Sequence, residues 1–426
     1  MLLGASVLAN TGDGVLRTGL LLVVAHLTGS VDASSLVMAV TTVPWLLFGI
    51  PAGMLADRAS RKASMVAADG VRAALVLAIG AAAWAGVLSL PLLLGLAFLV
   101  GVAETVFNTS SETVLPTVVP AAELTRANGQ LATTVRVTGQ FVAPALAGWL
   151  TALAAPVTFL VAGAGYLGSM FRLTALPRDV GRVPPPEQPV ERVAAQPVEP
   201  VERVRPWTGL VFLARHRALR TITLAGVLTT LANTSFLALF VVYATTGPLH
   251  LGDAGYGVLL SSVGVGTAVG SLTAHRAERR FGSAPVLCAT RFGWGLVFVA
   301  PVFLRGVPLF AAMTVGSCLG GMWGVLTVTL RQQLTPPEVR GAVGGAYRAV
   351  IMSAMPAGAA VGLLLQRLLG TPGTFLLFGA AMVVLAVPVW RAVTAERAGT
   401  GAGPGPEEER AGRHPRTRSR AARSGQ

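Results

Sequence analysis

Twelve apolar stretches, each long enough to cross a bilayer, follow one another along this chain with mostly short polar breaks between them. They run over about residues 2–27, 34–55, 64–86, 90–111, 128–151, 156–177, 217–246, 255–274, 284–304, 308–330, 343–366 and 373–393. A spanning helix needs about 20 apolar residues, because in the hydrocarbon layer the backbone must satisfy its own hydrogen bonds. Of the 426 residues, 53% are hydrophobic and 12% charged, where soluble domains carry about 25% charged residues. A water-soluble fold of this length cannot hide so much apolar surface. The runs are also too long and too uniform for a membrane β-barrel, whose strands alternate over about 10 residues. The expected fold is all-α and integral to a membrane, with twelve transmembrane helices.

The net charge of +14 does not point to nucleic acid. Lys62 is the sole lysine, and the arginines concentrate in alternate loops and in the C-terminal tail. Arg58, Arg61 and Lys62 follow span two, Arg126 follows span four, and a run from Arg178 to Arg215 follows span six. Arg276, Arg279 and Arg280 follow span eight, and Arg331 and Arg340 follow span ten; the opposite loops hold Arg305 and Arg367. Basic loops stay cytoplasmic, so both termini are expected inside a multi-pass protein of the plasma membrane. The first run lacks a basic leader and contains polar residues, so it reads as a retained span, not a cleaved signal. Residues 178–210 form a polar, proline-rich cytoplasmic linker, and residues 395–426 a basic tail expected to be disordered.

The linker divides the spans six and six, into bundles at 1–177 and 211–394. The halves repeat each other. Leu8-Ala9-Asn10-Thr11 recurs as Leu231-Ala232-Asn233-Thr234, Gly53-Met54-Leu55 as Gly270-Ser271-Leu272, and Glu123, Ala127 and Gly129 as Glu338, Ala342 and Gly344. Two pseudo-symmetric six-helix bundles in parallel orientation form a transporter architecture, with the substrate held between them near mid-membrane.

Several motifs sharpen this. Gly53-Met54-Leu55-Ala56-Asp57-Arg58-Ala59-Ser60-Arg61-Lys62 resembles the loop between spans two and three of the major facilitator superfamily, with Ser60 where a second glycine is usual. Gly139 to Gly148, with Pro144 at its centre, resembles the span-five motif of proton-driven exporters, with Ala143 and Ala147 replacing glycines. Asn10-Thr11-Gly12-Asp13, and Pro44-Trp45 through Pro51-Ala52-Gly53, are similar to the macrolide-efflux and enterobactin-exporter branch of drug:proton antiporters. The resemblance implies a two-bundle, twelve-helix fold. It also implies that Gly53, Asp57, Arg58, Arg61 and Lys62 latch span two against span eleven, and that Gly139, Pro144 and Gly148 mark an exporter helix. The arginine typical of span four in many such antiporters is absent, and Glu104 lies in that span.

Charge inside a bilayer costs at least about 2.5–3.5 kcal/mol, so ionisable residues there are few and usually functional. Four were expected inside spans, all in the N-terminal half: Asp13, Arg17, Glu104 and Arg136. Asp13 and Arg17 stand four apart on one helix face and are expected to pair. Glu104 and Arg136 lie at similar depth on neighbouring antiparallel spans and form the second expected pair. Either pair is a proton- or substrate-handling site, or a static strut. Aligning the repeats puts Phe236 opposite Asp13, Phe240 opposite Arg17, Leu319 opposite Glu104 and Ile351 opposite Arg136. One half would then couple protons while Phe236, Phe240, Trp323 and Tyr347 offer a hydrophobic cavity wall; plain helix packing is the alternative for these aromatics. Cys288 and Cys318 read as small core hydrophobes.

No metal-ligand spacing, phosphate-binding loop or nucleophile motif occurs, so neither an enzyme nor a bound cofactor is expected. An ion gradient, of protons by resemblance, or a downhill solute must supply the energy. The expected partners are a small-molecule substrate, protons and the lipid bilayer, with the chain acting as a monomer. The function that fits is a proton-coupled exporter of hydrophobic or amphiphilic small molecules by alternating access. An importer or uncoupled facilitator is a second reading, and a non-transporting sensor or partner subunit a third.

Overall fold

The computed structural model describes residues 2–58, 60–118, 130, 134–175, 207–336 and 339–400; within these, no side chain is described at 2, 49–58, 61, 112, 113, 115–118, 136 and 397–400. The described chain is helical, in the order α1 Leu2–Thr28, α2 Val31–Arg58, α3 Arg61–Trp84, α4 Leu90–Val118, a π-helix Val135–Val142 leading into α5 Ala143–Leu153, and α6 Ala155–Thr174. A short helix, Thr208–Arg215, precedes α7 Arg217–Thr245, α8 Gly252–Phe281, α9 Ser283–Phe303 and α10 Gly306–Leu334. A last helical stretch, Arg340–Thr400, breaks at Gly370, whose φ of 70° suits a residue without a Cβ. Its arms, 340–369 and 371–400, are α11 and α12.

Ten described helices are long and apolar enough to cross a membrane; one of these, Arg340–Glu396, is α11 and α12 taken together, and the shorter Val137–Leu153 fills span five. The expected twelve-helix architecture is thus present. Several helices outrun their apolar stretches: α8 continues to Phe281 through Arg276, Arg279 and Arg280, well past the apolar run expected to end at 274. The linker 178–206 and the tail beyond 400 lie outside the described residues.

Successive helices alternate in direction. Lys62 Nζ donates to the carbonyl of Thr174 over 2.9 Å, and His216 meets Glu396 at 3.5 Å, at the end where α1 begins and α12 finishes, the terminal end. At the opposite, far end, two ion pairs join the halves. His26 Nε2 lies 2.7 Å from Asp253 Oδ1, and Arg367 Nη2 lies 2.7 Å from Asp32 Oδ2.

The halves also touch where α5 crosses α8. A Cβ on Gly148 would stand 3.0 Å from the Gly257 Cα, and one on Gly257 2.9 Å from the Gly148 Cα. Only glycine at both positions lets the backbones approach so closely. Just before this crossing the chain winds as a π-helix. Pro144 has no N–H to give to the preceding turn, and the Ser261 hydroxyl from α8 donates to the Phe141 carbonyl over 2.6 Å. Of the exporter-like residues, Pro144 and Gly148 therefore belong to a seam between the halves, whereas Gly139 packs against α1 of its own half, beside Asn10 and Gly14.

Candidate functional site

A cavity of about 750 Å³ lies between the halves. It reaches from mid-bundle, at Leu20, Leu21 and Met38, towards the terminal end, at Asn108 and Gly345. The two ion pairs close the far end beyond it. Its walls are mainly apolar (Leu16, Val37, Trp45, Leu237, Met352 and others), with Thr41, Thr42, Asn108, Asn233 and Ser353 as polar points. Asp13, Arg17, Glu104, Tyr166 and Arg348 also line it.

The N-terminal half supplies a connected charged cluster. Arg72, on α3, is wholly buried, its guanidinium 4.2 Å from the Phe107 ring centre and 4.5 Å from that of Tyr166. Its Nη1 donates to Asp13 Oδ1 over 2.7 Å and its Nη2 to Asp69 Oδ1. The Tyr166 hydroxyl donates to the same Asp13 oxygen over 2.8 Å. Asp69 is completely buried, whereas Asp13 keeps 18% of its side chain exposed, on the cavity. Beside this cluster, Arg17 Nη2 stands 3.8 Å from Glu104 Oε1. The arrangement places an ionisable acid on the cavity while two hydrogen-bond donors fix its orientation.

This geometry corrects the expected pairing. Asp13 and Arg17 share a helix face but do not pair: Asp13 turns to Arg72 on α3, and Arg17 to Glu104 on α4. The intra-helical spacing permitted a pair, but packing offered Asp13 a buried guanidinium with a better-directed N–H. The Glu104–Arg136 pair cannot be placed, because the Arg136 side chain lies outside the described residues. Nor are four ionisable groups the full set. Asp69, Arg72 and, in the C-terminal half, Arg291 are buried within the bundles. Asp69 and Arg72 stand three apart inside an apolar run, a helical pair spacing that is visible in the sequence.

The C-terminal half repeats the cluster without its acids. Arg291 is wholly buried, with its guanidinium 3.6 Å from the Trp323 ring centre. Its Nη1 donates over 2.7 Å to the Thr229 hydroxyl, which also lies 3.7 Å from Met382 Sδ. Helices α4 and α10 correspond end to end at an offset of 216 residues. The same offset takes Asp13 to Thr229, Phe107 to Trp323 and Tyr166 to Met382, and an offset of 219 takes Arg72 to Arg291. The repeated Leu-Ala-Asn-Thr, at an offset of 223, had placed Phe236 opposite Asp13. Seven residues are about two helical turns, so that register kept the face and misjudged the depth.

The expected hydrophobic wall is corrected for the same reason. Phe236 stacks on Phe240 with ring centres 4.7 Å apart and packs against Phe298 and Phe375 at 5.2 and 4.8 Å. Both are buried inside the C-terminal bundle and neither lines the cavity. Trp323 packs under Arg291, and Tyr347 lies 4.0 Å under Arg331, also off the cavity. The C-terminal wall consists instead of Asn233, Thr234, Leu237, Gly345, Arg348 and Ala349 with Met352, Ser353 and Met355.

At the proposed latch, Gly53, Asp57 and Arg58 end α2 and Arg61 opens α3, and the side chains of Asp57, Arg58 and Arg61 lie outside the described residues. Ser60 caps α3, its hydroxyl accepting from the Ala63 N–H at 3.4 Å, so the serine in the glycine position has a structural use. Among the described residues no cluster of ligating side chains could hold a metal ion.

The profile of the transmembrane secretion effector family matches residues 1–398. The chain belongs to that family, within the major facilitator superfamily. It is 28% identical over 319 residues to the enterobactin exporter EntS of Citrobacter koseri, covering 72% of this chain and 71% of that one. Its fold is similar to the nucleoside transporter NupG, with TM-score 0.64, 15% identity and coverage of 92% and 98% of the two chains. It is also similar to a bacterial homologue of the iron transporter ferroportin in an inward-facing state, with TM-score 0.68, 17% identity and coverage of 91% and 96%. These similarities establish the major facilitator fold and make the chain a multi-pass membrane transporter with an exporter among its relatives.

Proposed function

We propose that this transporter is a proton-coupled exporter of hydrophobic or amphiphilic small molecules, working by alternating access between bundles at 1–177 and 211–394. One observation carries the reading: a largely apolar cavity meets a hydrogen-bonded, cavity-facing carboxylate, Asp13, while ion pairs between the halves close its far end. Asp13 takes up a proton in one state and yields it in the other as the halves rock. Arg17 and Glu104 flank it as a cavity-side pair, within reach of a polar group on the substrate. In this reading the terminal end is cytoplasmic in the plasma membrane, the chain works as a monomer, and no bound cofactor takes part. The basic loops at the terminal end support that orientation. The enterobactin exporter among the relatives supports export.

The test uses the purified full chain in liposomes holding a pH-sensitive dye, under an imposed proton gradient. Macrolides, lipophilic cations and catecholate siderophores are added in turn, with Asp13→Asn and Glu104→Gln alongside. Substrate-evoked proton movement that Asp13→Asn removes is the expected result. Substrate flux without proton movement overturns the coupling and leaves a facilitator or another ion. No flux for any of them, from protein shown to be folded, overturns amphiphile export.

A further inference from the structure

Arg72 is shared by two carboxylates in unlike surroundings. Towards the cavity it holds Asp13, which is partly exposed; away from the cavity it holds Asp69, which is wholly buried together with the arginine. Asp69 does not line the cavity, and its second oxygen, Oδ2, is buried without a geometric hydrogen bond, beside the Ser169 side chain of α6. It therefore makes its one strong contact with Arg72.

The use of such a group follows from electrostatics. A guanidinium sealed in a low-dielectric interior strongly resists losing its only counter-ion. If Asp13 were the sole partner of Arg72, adding a proton to Asp13 would strand that cation, and protonation would be disfavoured. With Asp69 in place, the Asp13–Arg72–Asp69 group is singly negative before the proton arrives and neutral afterwards. None of the remaining described groups around it makes a direct ion pair with Arg72. Glu104 on α4 pairs with Arg17 of α1, Tyr166 on α6 donates its own proton to Asp13, and Phe107 offers only a ring face. The C-terminal half shows the contrast. Cys288 stands three residues before Arg291, as Asp69 stands before Arg72, and Thr229 stands where Asp13 does. Among the described residues no acid contacts Arg291.

We propose that Asp69 is a positioning residue, the fixed counter-ion that keeps Arg72 neutralised while Asp13 takes up and releases its proton. The proposal rests on Asp13 being the coupling acid, and its test needs no transported substrate. Infrared difference spectra of the full chain in detergent are recorded as the pH is lowered. The expected result in the wild type is a protonated-carboxyl band component, above the background of the chain's other acids, that Asp13→Asn removes. Asp69→Asn should move the appearance of that band to lower pH by about 1–3 units, because it takes away both a negative neighbour and the arginine's remaining partner. Asp69→Glu should return it to the wild-type range.

A band that is present in the wild type but unmoved by Asp69→Asn overturns the counter-ion role and leaves Asp13 as the coupling acid. A band that survives Asp13→Asn removes Asp13 itself, and with it the reading on which this role depends. Where Asp69→Asn does not fold, Asp69→Glu still decides. Aspartic and glutamic carboxyls absorb at different frequencies, so a titrating band whose frequency changes in Asp69→Glu puts the proton on residue 69 and overturns the proposal. An unchanged frequency supports it.

Discussion

Arg72 and Arg291 occupy matching places in the two halves, yet one is surrounded by acids and the other by neutral groups. Each is fully buried, lies over an aromatic ring from the fourth helix of its half, and donates from Nη1 to the first helix of its half over 2.7 Å. In the N-terminal half the acceptor is a carboxylate on the cavity, and in the C-terminal half it is the Thr229 hydroxyl, away from it. One scaffold thus serves two ends. Where the acids are present, the arginine holds a carboxylate at the cavity. Where they are absent, it is a packed strut held by Thr229 and Trp323. In the proposed function, a buried charge within a membrane bundle acts only through its partners and its access to the cavity.

The sharpest way to break this comparison is to remove each arginine. Arg72→Gln strands two carboxylates and should lower stability by roughly 3–5 kcal/mol, the cost typical of breaking a buried ion pair. Arg291→Gln leaves no buried acid behind and should cost about 1–3 kcal/mol, from a lost hydrogen bond and ring contact. Thermal unfolding of the two variants in detergent measures both, and equal losses would end the distinction between site and strut.

Next in size is the aromatic core of the C-terminal half. Phe236→Ala should destabilise by about 3–5 kcal/mol, as large-to-small changes in packed cores do, with little change in substrate affinity. Met352→Ala, on the cavity, should do the reverse, weakening binding with a smaller loss of stability. A binding titration beside an unfolding curve separates the two, and an affinity loss in stably folded Phe236→Ala would return that ring to the cavity wall.

A gentler probe is Thr229→Asp, which gives Arg291 the acceptor that Arg72 already has. A new pair of this kind is close to neutral in stability, so the variant should unfold within about 1 kcal/mol of the wild type. Aggregation or misfolding of Thr229→Asp would show that the two arginine sites are not equivalent.

The smallest expected effect lies at the far end. His26→Gln removes one of the two ion pairs between the halves. Because His26 is about half exposed, the closed arrangement should be weakened by at most about 1 kcal/mol. Spin labels placed across the far end of α1 and α8 would report a modest gain in the separated population, and full opening would mean that this pair carries the closure alone.

Much of the architecture was legible in the chain itself. Apolar runs of spanning length determined the number of helices, because a backbone in lipid has almost no other way to pair its N–H and C=O groups. The repeated Leu-Ala-Asn-Thr pointed to a molecule built twice over, and the alternation of basic loops to its orientation. Asp13, Arg17 and Glu104 stood out because charge is rare in such runs, and all three do meet at the cavity. Their partners were another matter. Asp13 bonds to Arg72 across 59 residues and to Tyr166 across 153, and helical spacing carries no information about contacts between different helices. The repeat register was likewise open by two turns, since a shift of seven residues preserves the face of a helix while moving a side chain along it. Only the packing of α1 and α3 against α6, and of α7 and α9 against α12, resolved which charges are joined. That packing also put Phe236 in the core and left Asp13 on the cavity.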